Sequence, residues 1–228
     1  MEILVLGGTS FVGRAIVERA LELGHQVTLF SRGQTGAELF PSVPRLLGDR
    51  TTGDYASLQQ GRFDAVVDVS GYVPRHVQQA HEALAGRAGR YLFISTGSVY
   101  DRSLAAGDGM TEDTPRLTPE RGTEEITGET YGPLKVACED DALRLWGGRA
   151  TIVRPGIVAG PYDPTDRFTW WVRRAARGGR VALPGRPDQP VQAADSRDLA
   201  APVIQLLADD GPGIFNAVGP VESVTLAV

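Results

Sequence analysis

Tyr131 and Lys135 stand four residues apart in Tyr131-Gly132-Pro133-Leu134-Lys135, a spacing that puts both on one helix face. A phenol at its ordinary pKa of about 10 carries protons poorly at neutral pH. A neighbouring ammonium stabilises the phenolate and is expected to draw that pKa toward the working range. Tyr131 then passes a proton to or from a carbonyl oxygen or a hydroxyl. Lys135 is the one lysine of the chain; the other 22 of its 23 basic residues are arginine. Arginine bias explains most of that count. At position 135 a compact ammonium does what a broad planar guanidinium does not. Taken alone, Tyr-x-x-x-Lys is weakly specific, and an exposed i,i+4 pair is the bland alternative.

A second group is Gly7-Gly8-Thr9-Ser10-Phe11-Val12-Gly13, between an apolar run and a helix-patterned segment. Free N–H groups and the positive dipole end of a helix suit a pyrophosphate. Gly7 allows the turn and Gly13 allows close helix–sheet packing. After the second strand an acid usually meets the ribose 2′-hydroxyl. Here Phe30 is followed by Ser31-Arg32-Gly33. A guanidinium forks onto a phosphate, so the expected cofactor is NADP(H), with NAD as the alternative. Asp49 is placed either to accept from an adenine amino group or to cap a turn, and Arg50 beside it is a further candidate for cofactor contact. Thr96, after the fifth strand, is the candidate to hold a substrate oxygen beside Tyr131. Ser98 reads as a cap or turn residue.

These groups need a scaffold. Residues 1–6, 26–30, 46–47, 64–69, 90–95 and 150–153 read as strands. Residues 11–23, 55–59, 73–84 and 131–146 read as helices, with Gly24 and Gly147-Gly148 as stops. The alternation predicts right-handed crossovers and a doubly wound parallel sheet of the α/β Rossmann class. Ligands in such sheets bind at the carboxyl ends of the strands. The polar stretch 101–130 is long for a loop, and loops of that length are usually binding elements or mobile. Beyond Pro155 the pattern loosens: a helix at 168–176, a strand at 181–183, a helix at 196–208 and a strand at 213–218. Residues 1–160, with contributions from 190–218, form the expected dinucleotide-binding core; residues 161–228 form a small, partial substrate-binding lobe.

Composition limits the function classes. The 228 residues carry a net charge of −5 and a sequence pI of about 5.3, which argues against nucleic-acid binding by phosphate neutralisation. With 42% hydrophobic and 22% charged residues the chain can bury a core. No apolar run approaches the roughly 20 residues of a membrane helix. The single cysteine, Cys138, and a start that runs straight into a strand predict a cytoplasmic protein. The three histidines show no metal-ligand spacing, so no metal is expected.

Together the motifs resemble the extended short-chain dehydrogenase/reductase superfamily, the NAD-dependent epimerase/dehydratase group. The resemblance rests on Gly7–Gly13, Asp49, Asp68-Val69-Ser70-Gly71, residues 95–100, Tyr131 to Lys135 and Arg154-Pro155-Gly156. The stretches Gly7–Gly13, Leu29–Gly33, Asp163–Trp171 and Gln192–Leu199 look more like an atypical branch, similar to chloroplast stem-loop-RNA-binding proteins and to isoflavone-reductase-like bacterial proteins. The resemblance implies Thr96 as the catalytic Ser/Thr, Tyr131 as acid/base and Lys135 as its partner, which also meets the nicotinamide ribose. It places Val69, Ser70 and Gly71 along the cofactor, and Pro155 and Gly156 beside the nicotinamide. Ser10 stands where the family usually has its middle glycine. Gly97 and Ser98 stand where sugar-nucleotide dehydratases carry an Asp-Glu pair.

The expected function is an NADPH-favouring oxidoreductase acting on a carbonyl or hydroxyl carbon of a small molecule. Arg167, Trp170 and Trp171 are the candidates for substrate contact. A sugar-nucleotide epimerase, and a non-enzymatic cofactor sensor or RNA-binding protein on the same fold, are the alternatives. The superfamily's habit of pairing two helices into a dimer four-helix bundle makes 73–84 and 131–146 the candidates for a homodimer.

Overall fold

Strand β1 (Glu2–Leu6) shows how the sheet is built. Its apolar residues alternate between faces, as a strand requires. Ile3 and Val5 enter one core and Leu4 and Leu6 the other, all with no exposed surface. A strand buried on both faces reads as a continuous apolar run, which is why its sequence shows no alternation.

The computed structural model describes residues 1–103, 109–220, 222, 224 and 225. After β1 come α1 (Phe11–Glu22), β2 (Gln26–Ser31), β3 (Arg45–Leu47), β4 (Phe63–Asp68), α2 (Pro74–Ala83) and β5 (Ala88–Ile94). Then follow α3 (Tyr131–Trp146), β6 (Ala150–Pro155), β7 (Ile157–Ala159), α4 (Thr169–Ala176), β8 (Pro190–Val191) and β9 (Ala193–Asp195). The last elements are α5 (Ser196–Ala208), β10 (Gly213–Ala217) and β11 (Val224–Thr225). Seven strands form a parallel sheet in the order β3-β2-β1-β4-β5-β6-β10, a doubly wound Rossmann architecture. The order reverses between β1 and β4, which opens the ligand crevice at their carboxyl ends.

One face of the sheet is covered by α1 and α5, where Ile16, Val17 and Ala20 meet Leu199, Val203 and Ile204. The other is covered by α2 and α3, where Val77, Ala80 and Leu84 join Cys138, Ala142 and Trp146. Each fully buried Ile, Leu or Val stabilises the fold by roughly 1.5–3 kcal/mol relative to exposure. Local signals set the helix ends. Gly24 takes a left-handed φ of 76° after α1, Pro74 opens α2, and Asp195 caps α5 by accepting from the Arg197 N–H.

Three expectations fail or shift in the second half. Residues 181–183 are not a strand: left-handed Gly178 and Gly179 precede them, Pro184 follows, and the extended pair forms instead between β8 and β11. The parallel pair β7–β9 had no sequence signal beyond two short apolar runs. Described parts of the 101–130 stretch are not free-hanging: Asp101 N–H donates to Pro115 O, Leu117 N–H to Val99 O and Glu120 N–H to Pro133 O. Arg116 and Arg121 pair with Asp140 and Asp141 on α3, and Arg75 on α2 pairs with Glu124. No helix among the described residues is long and apolar enough to cross a membrane.

Candidate active site

The turn from β1 into α1 is shaped for an anion. Ser10 gives α1 no side-chain cap, and no acid stands in the first turn, so the terminal N–H groups are left for a ligand. A Cβ on Gly13 would come within 2.0 Å of the Gly7 carbonyl oxygen; only glycine lets the helix approach that closely. Phe11 is held at a φ of 39°, a left-handed conformation that costs energy in a bulky residue. Ser10 itself is extended, at a φ of −139°, so its backbone there does not require glycine. Thr9 and Val12 lie on the same turn, and Thr9 O faces Gly36 of the β2–β3 loop.

At the adenosine end, Ser31 Oγ accepts from Gly33 N–H at 3.3 Å, and Arg32 is exposed without an ion-pair partner among the described residues. Asp49 accepts from both the N–H and the hydroxyl of Thr51. Those bonds first, and the Arg32 charge among smaller terms, hold its carboxyl below the usual range. Asp49 is thus a turn residue with one carboxylate oxygen outside that turn.

The Arg50 side chain, expected at the cofactor, is turned into the protein. It is 7% exposed, and all five of its donors are engaged inside the protein. They reach Tyr55 Oη, both Asp68 carboxylate oxygens, Ser70 Oγ and His76 O, at 2.6–3.1 Å. Its side chain has no N–H left for a phosphate. It acts on the cradle indirectly: Ser70 Oγ donates to Leu6 O and Ser70 N–H to Asp68 Oδ1, while Val69 N–H donates to Leu6 O. The β4 end is so locked against β1 and the glycine turn.

Lys135 is 2% exposed. Its Nζ donates at 2.8 Å to Gly71 O and at 2.8 Å to Ile94 O, tying the ends of β4 and β5 together. It also lies 4.0 Å from the Phe93 ring centroid and 5.8 Å from that of Tyr72. One of its three donors stays unassigned. Burial pushes its pKa down to about 8, against partial support from nearby acidic groups.

Tyr131 opens α3, where Gly132 is required: a Cβ there would lie 2.3 Å from Ser98 O. The Tyr131 phenol lies near the Thr96 side chain, whose hydroxyl bonds to Ser98. Its pKa is raised, mainly by burial, with the neighbouring Thr96 hydroxyl pulling the other way. This departs from the expectation that Lys135 lowers it: two of the ammonium's donors go to carbonyls, and desolvation of the phenolate dominates. Thr96 also accepts from Ser98 N–H at 3.1 Å, so Ser98 sits in the cap that the sequence indicated. Pro155 O approaches Gly97, and Gly156 N–H donates to Ala217 O, which closes the β5, β6 and β10 ends around one crevice.

The substrate-side candidates separate. The Arg167 charge acts on Tyr131, and its Nε donates to Thr165 Oγ1 at 3.3 Å. Trp170 and Trp171 stack edge-to-face on each other at 4.7 Å, on a helix that buries no residue. Tyr72, which no sequence pattern singles out, follows Gly71 directly, and its ring centroid lies 5.8 Å from Lys135 Nζ; its one sequence signal is that position after a strand end.

Residues 3–217 match the NAD dependent epimerase/dehydratase family, and the chain belongs to that family. It is 27% identical over 237 residues to the chloroplast stem-loop binding protein of 41 kDa b of Arabidopsis thaliana, covering 96% of this chain and 58% of that protein. It is 26% identical over 200 residues to 2-alkyl-3-oxoalkanoate reductase of Stenotrophomonas maltophilia, covering 81% of this chain and 58% of that one. The chain thus spans 58% of the length of either relative. Among solved structures, UDP-glucuronic acid 4-epimerase from Bacillus cereus, in complex with NAD, shares the fold. Its TM-score is 0.78 at 19% identity, over 99% of this chain and 81% of that one.

Proposed function

We propose that this chain is the cofactor-binding and catalytic part of an NADPH-favouring oxidoreductase that reduces a carbonyl group of a small molecule. The observation that carries the reading is the meeting of Tyr131, Thr96 and Lys135 at the carboxyl ends of β4 and β5, beside an uncapped α1. When bound, a nicotinamide dinucleotide supplies the hydride. Phe11, Val12 and Gly13 would hold its diphosphate by backbone N–H groups, and Arg32 a 2′-phosphate. Val69, Ser70, Gly71, Pro155 and Gly156 would border its nicotinamide half, near the remaining Lys135 donor.

Tyr131 is suited to the reductive direction. A phenol holds its proton at neutral pH at its ordinary pKa, so Tyr131 acts as the general acid toward a carbonyl oxygen that gains charge; the burial that raises its pKa works against that transfer. Thr96 holds that oxygen in place, and Arg167 offers a positive charge nearby.

The test is a fluorescence titration with NADPH and NADH, followed by a screen of carbonyl compounds for NADPH consumption. NADPH is expected to bind at least tenfold more tightly than NADH, and Arg32→Ala to erase the difference. Tyr131→Phe is expected to keep cofactor affinity and lose turnover by two orders of magnitude or more, in line with the roughly 10²–10⁴-fold worth of a positioned acid. Equal affinity for the two cofactors overturns the Arg32 argument. Tightly retained NAD(H) without net NADPH consumption turns the assignment to an epimerase. A function that survives Tyr131→Phe points to a sensor.

A further inference from the structure

The wall behind Thr96 contains a buried ion pair that the reaction proposed above does not use. Glu139 lies one turn beyond Lys135 on α3 and has no exposed surface, and Arg154 near the end of β6 is 1% exposed. Arg154 Nε donates to Glu139 Oε1 at 2.9 Å and Nη2 to Oε2 at 2.7 Å. Oε1 also accepts from Ser95 Oγ at 2.5 Å, and Oε2 from Arg116 Nη1 at 3.0 Å. Arg154 Nη1 donates to the Tyr100 hydroxyl at 2.9 Å and to Glu112 O at 3.1 Å. Tyr100 passes the connection to Asn216 Oδ1 at 2.6 Å. Asn216 in turn donates to Met110 O from its side chain and to Glu112 Oε1 from its backbone.

Such a pair is a weak source of stability, because desolvation offsets most of its attraction and apolar side chains of equal volume would do as well. What it supplies is direction. Each charged atom has a fixed partner, and those partners flank the reacting residues. Ser95 precedes Thr96 in the chain, and Arg154 precedes Pro155-Gly156. Met110, Glu112 and Arg116 belong to the long stretch that precedes Tyr131.

We infer that Glu139 and Arg154 are positioning residues for the proposed reaction: their pair sets the Ser95-Thr96 strand end against Tyr131 and fixes residues 110–116 as one wall of the pocket. The inference rests on the oxidoreductase reading. It does not extend to cofactor contact, since neither side chain reaches the α1 cradle through any bond described above.

The experiment compares Glu139→Gln, Arg154→Lys and the milder Ser95→Ala with Ile204→Ala, a core variant between α1 and α5 that is destabilised but remote from the site. Ser95→Ala deletes one bond in a small side chain and keeps the proposal testable if the charge variants do not fold. NADPH affinity is expected to stay within threefold of wild type in all of them. The turnover number is expected to fall at least tenfold in Glu139→Gln and Arg154→Lys and several-fold in Ser95→Ala, and to stay within twofold in Ile204→Ala. Hydrogen exchange at residues 95–99 and 109–117 is expected to quicken in Glu139→Gln, with α1 unchanged. Turnover that falls no further than in Ile204→Ala overturns the proposal. So does cofactor affinity lost in parallel, or unchanged exchange at both segments. Wild-type protein that binds neither NADPH nor NADH defeats the underlying reading instead, a result separate from any of these.

Discussion

At the scale of single residues, electrostatics in the crevice is governed by burial more than by charge pairing. Lys135 illustrates this: its ammonium is held between two carbonyls, and desolvation lowers its pKa to about 8. Tyr131 moves in the opposite direction for the same reason, since burial disfavours the phenolate. His76 gives the clearest consequence for stability. It is 7% exposed, and burial, helped by the Arg50 charge, lowers its pKa from 6.5 to about 4. The unfolded chain therefore takes up a proton near pH 6.5 that the folded chain refuses until about pH 4. Stability from this group is complete above 6.5 and is lost as pH falls toward 4, on the order of 3 kcal/mol at the limit. Urea denaturation at stepped pH is expected to show that slope, and His76→Gln to flatten it; His25 and His81, whose pKa values are also lowered by burial, leave a smaller remainder. Tyr131, Lys135 and Thr96 were legible as a set because their types are chemically unusual at that spacing. Arg50 was not. Its sequence neighbour Asp49 suggested a cofactor contact, and only Asp68, Ser70 and His76, brought near by β4 and α2, reveal where its donors go.

At the scale of elements, close backbone approach decides what the site can be. The β1–α1 turn works because α1 starts almost in contact with the Gly7 carbonyl. Gly13→Ala puts a methyl 2.0 Å from that oxygen, and the obstacle is backbone, which cannot swing aside. NADPH affinity is expected to fall at least tenfold, with a lower thermal midpoint, while the far-UV spectrum stays that of the folded chain; unchanged binding in the titration would count against the cradle assignment. The strands and helices of the first half were readable because β1, β4 and β5 are short apolar runs bounded by turns and α1 carries a helical apolar stripe. α3 was readable in extent, yet its polar residues Lys135, Glu139 and Asp141 are buried, which no periodicity shows. The stretch 101–130 has no pattern of its own, and its residues 109–130 are held by Arg116, Arg121 and Glu124 pairing with helices distant in sequence.

At the scale of the whole molecule, charge is unevenly distributed. The chain is at −5, yet between Arg167 and Arg186 there are six arginines and no acid. Arg173 pairs with Asp166, and Arg174 turns to the carbonyls of Gly178 and Arg180, so part of that charge is used locally. Binding of a stem-loop RNA is expected to be no tighter than about 10⁻⁶ M at physiological salt and to weaken steeply as salt rises, the mark of non-specific phosphate contact; a filter-binding series over salt measures it. A salt-insensitive, tight complex would instead favour a nucleic-acid role. By itself the sequence determined the layer architecture, the glycine-rich turn and the Tyr131–Lys135 spacing on one helix, because these depend on local periodicity and on residue types a few positions apart. The tertiary structure alone decided which cations are free. Arg32 and Arg167 remain exposed, whereas Arg50 and Arg154 are buried in ion pairs with Asp68 and Glu139. Four arginines of one residue type take opposite roles because the desolvation and the partners that set a charge's behaviour come from segments far apart in the chain.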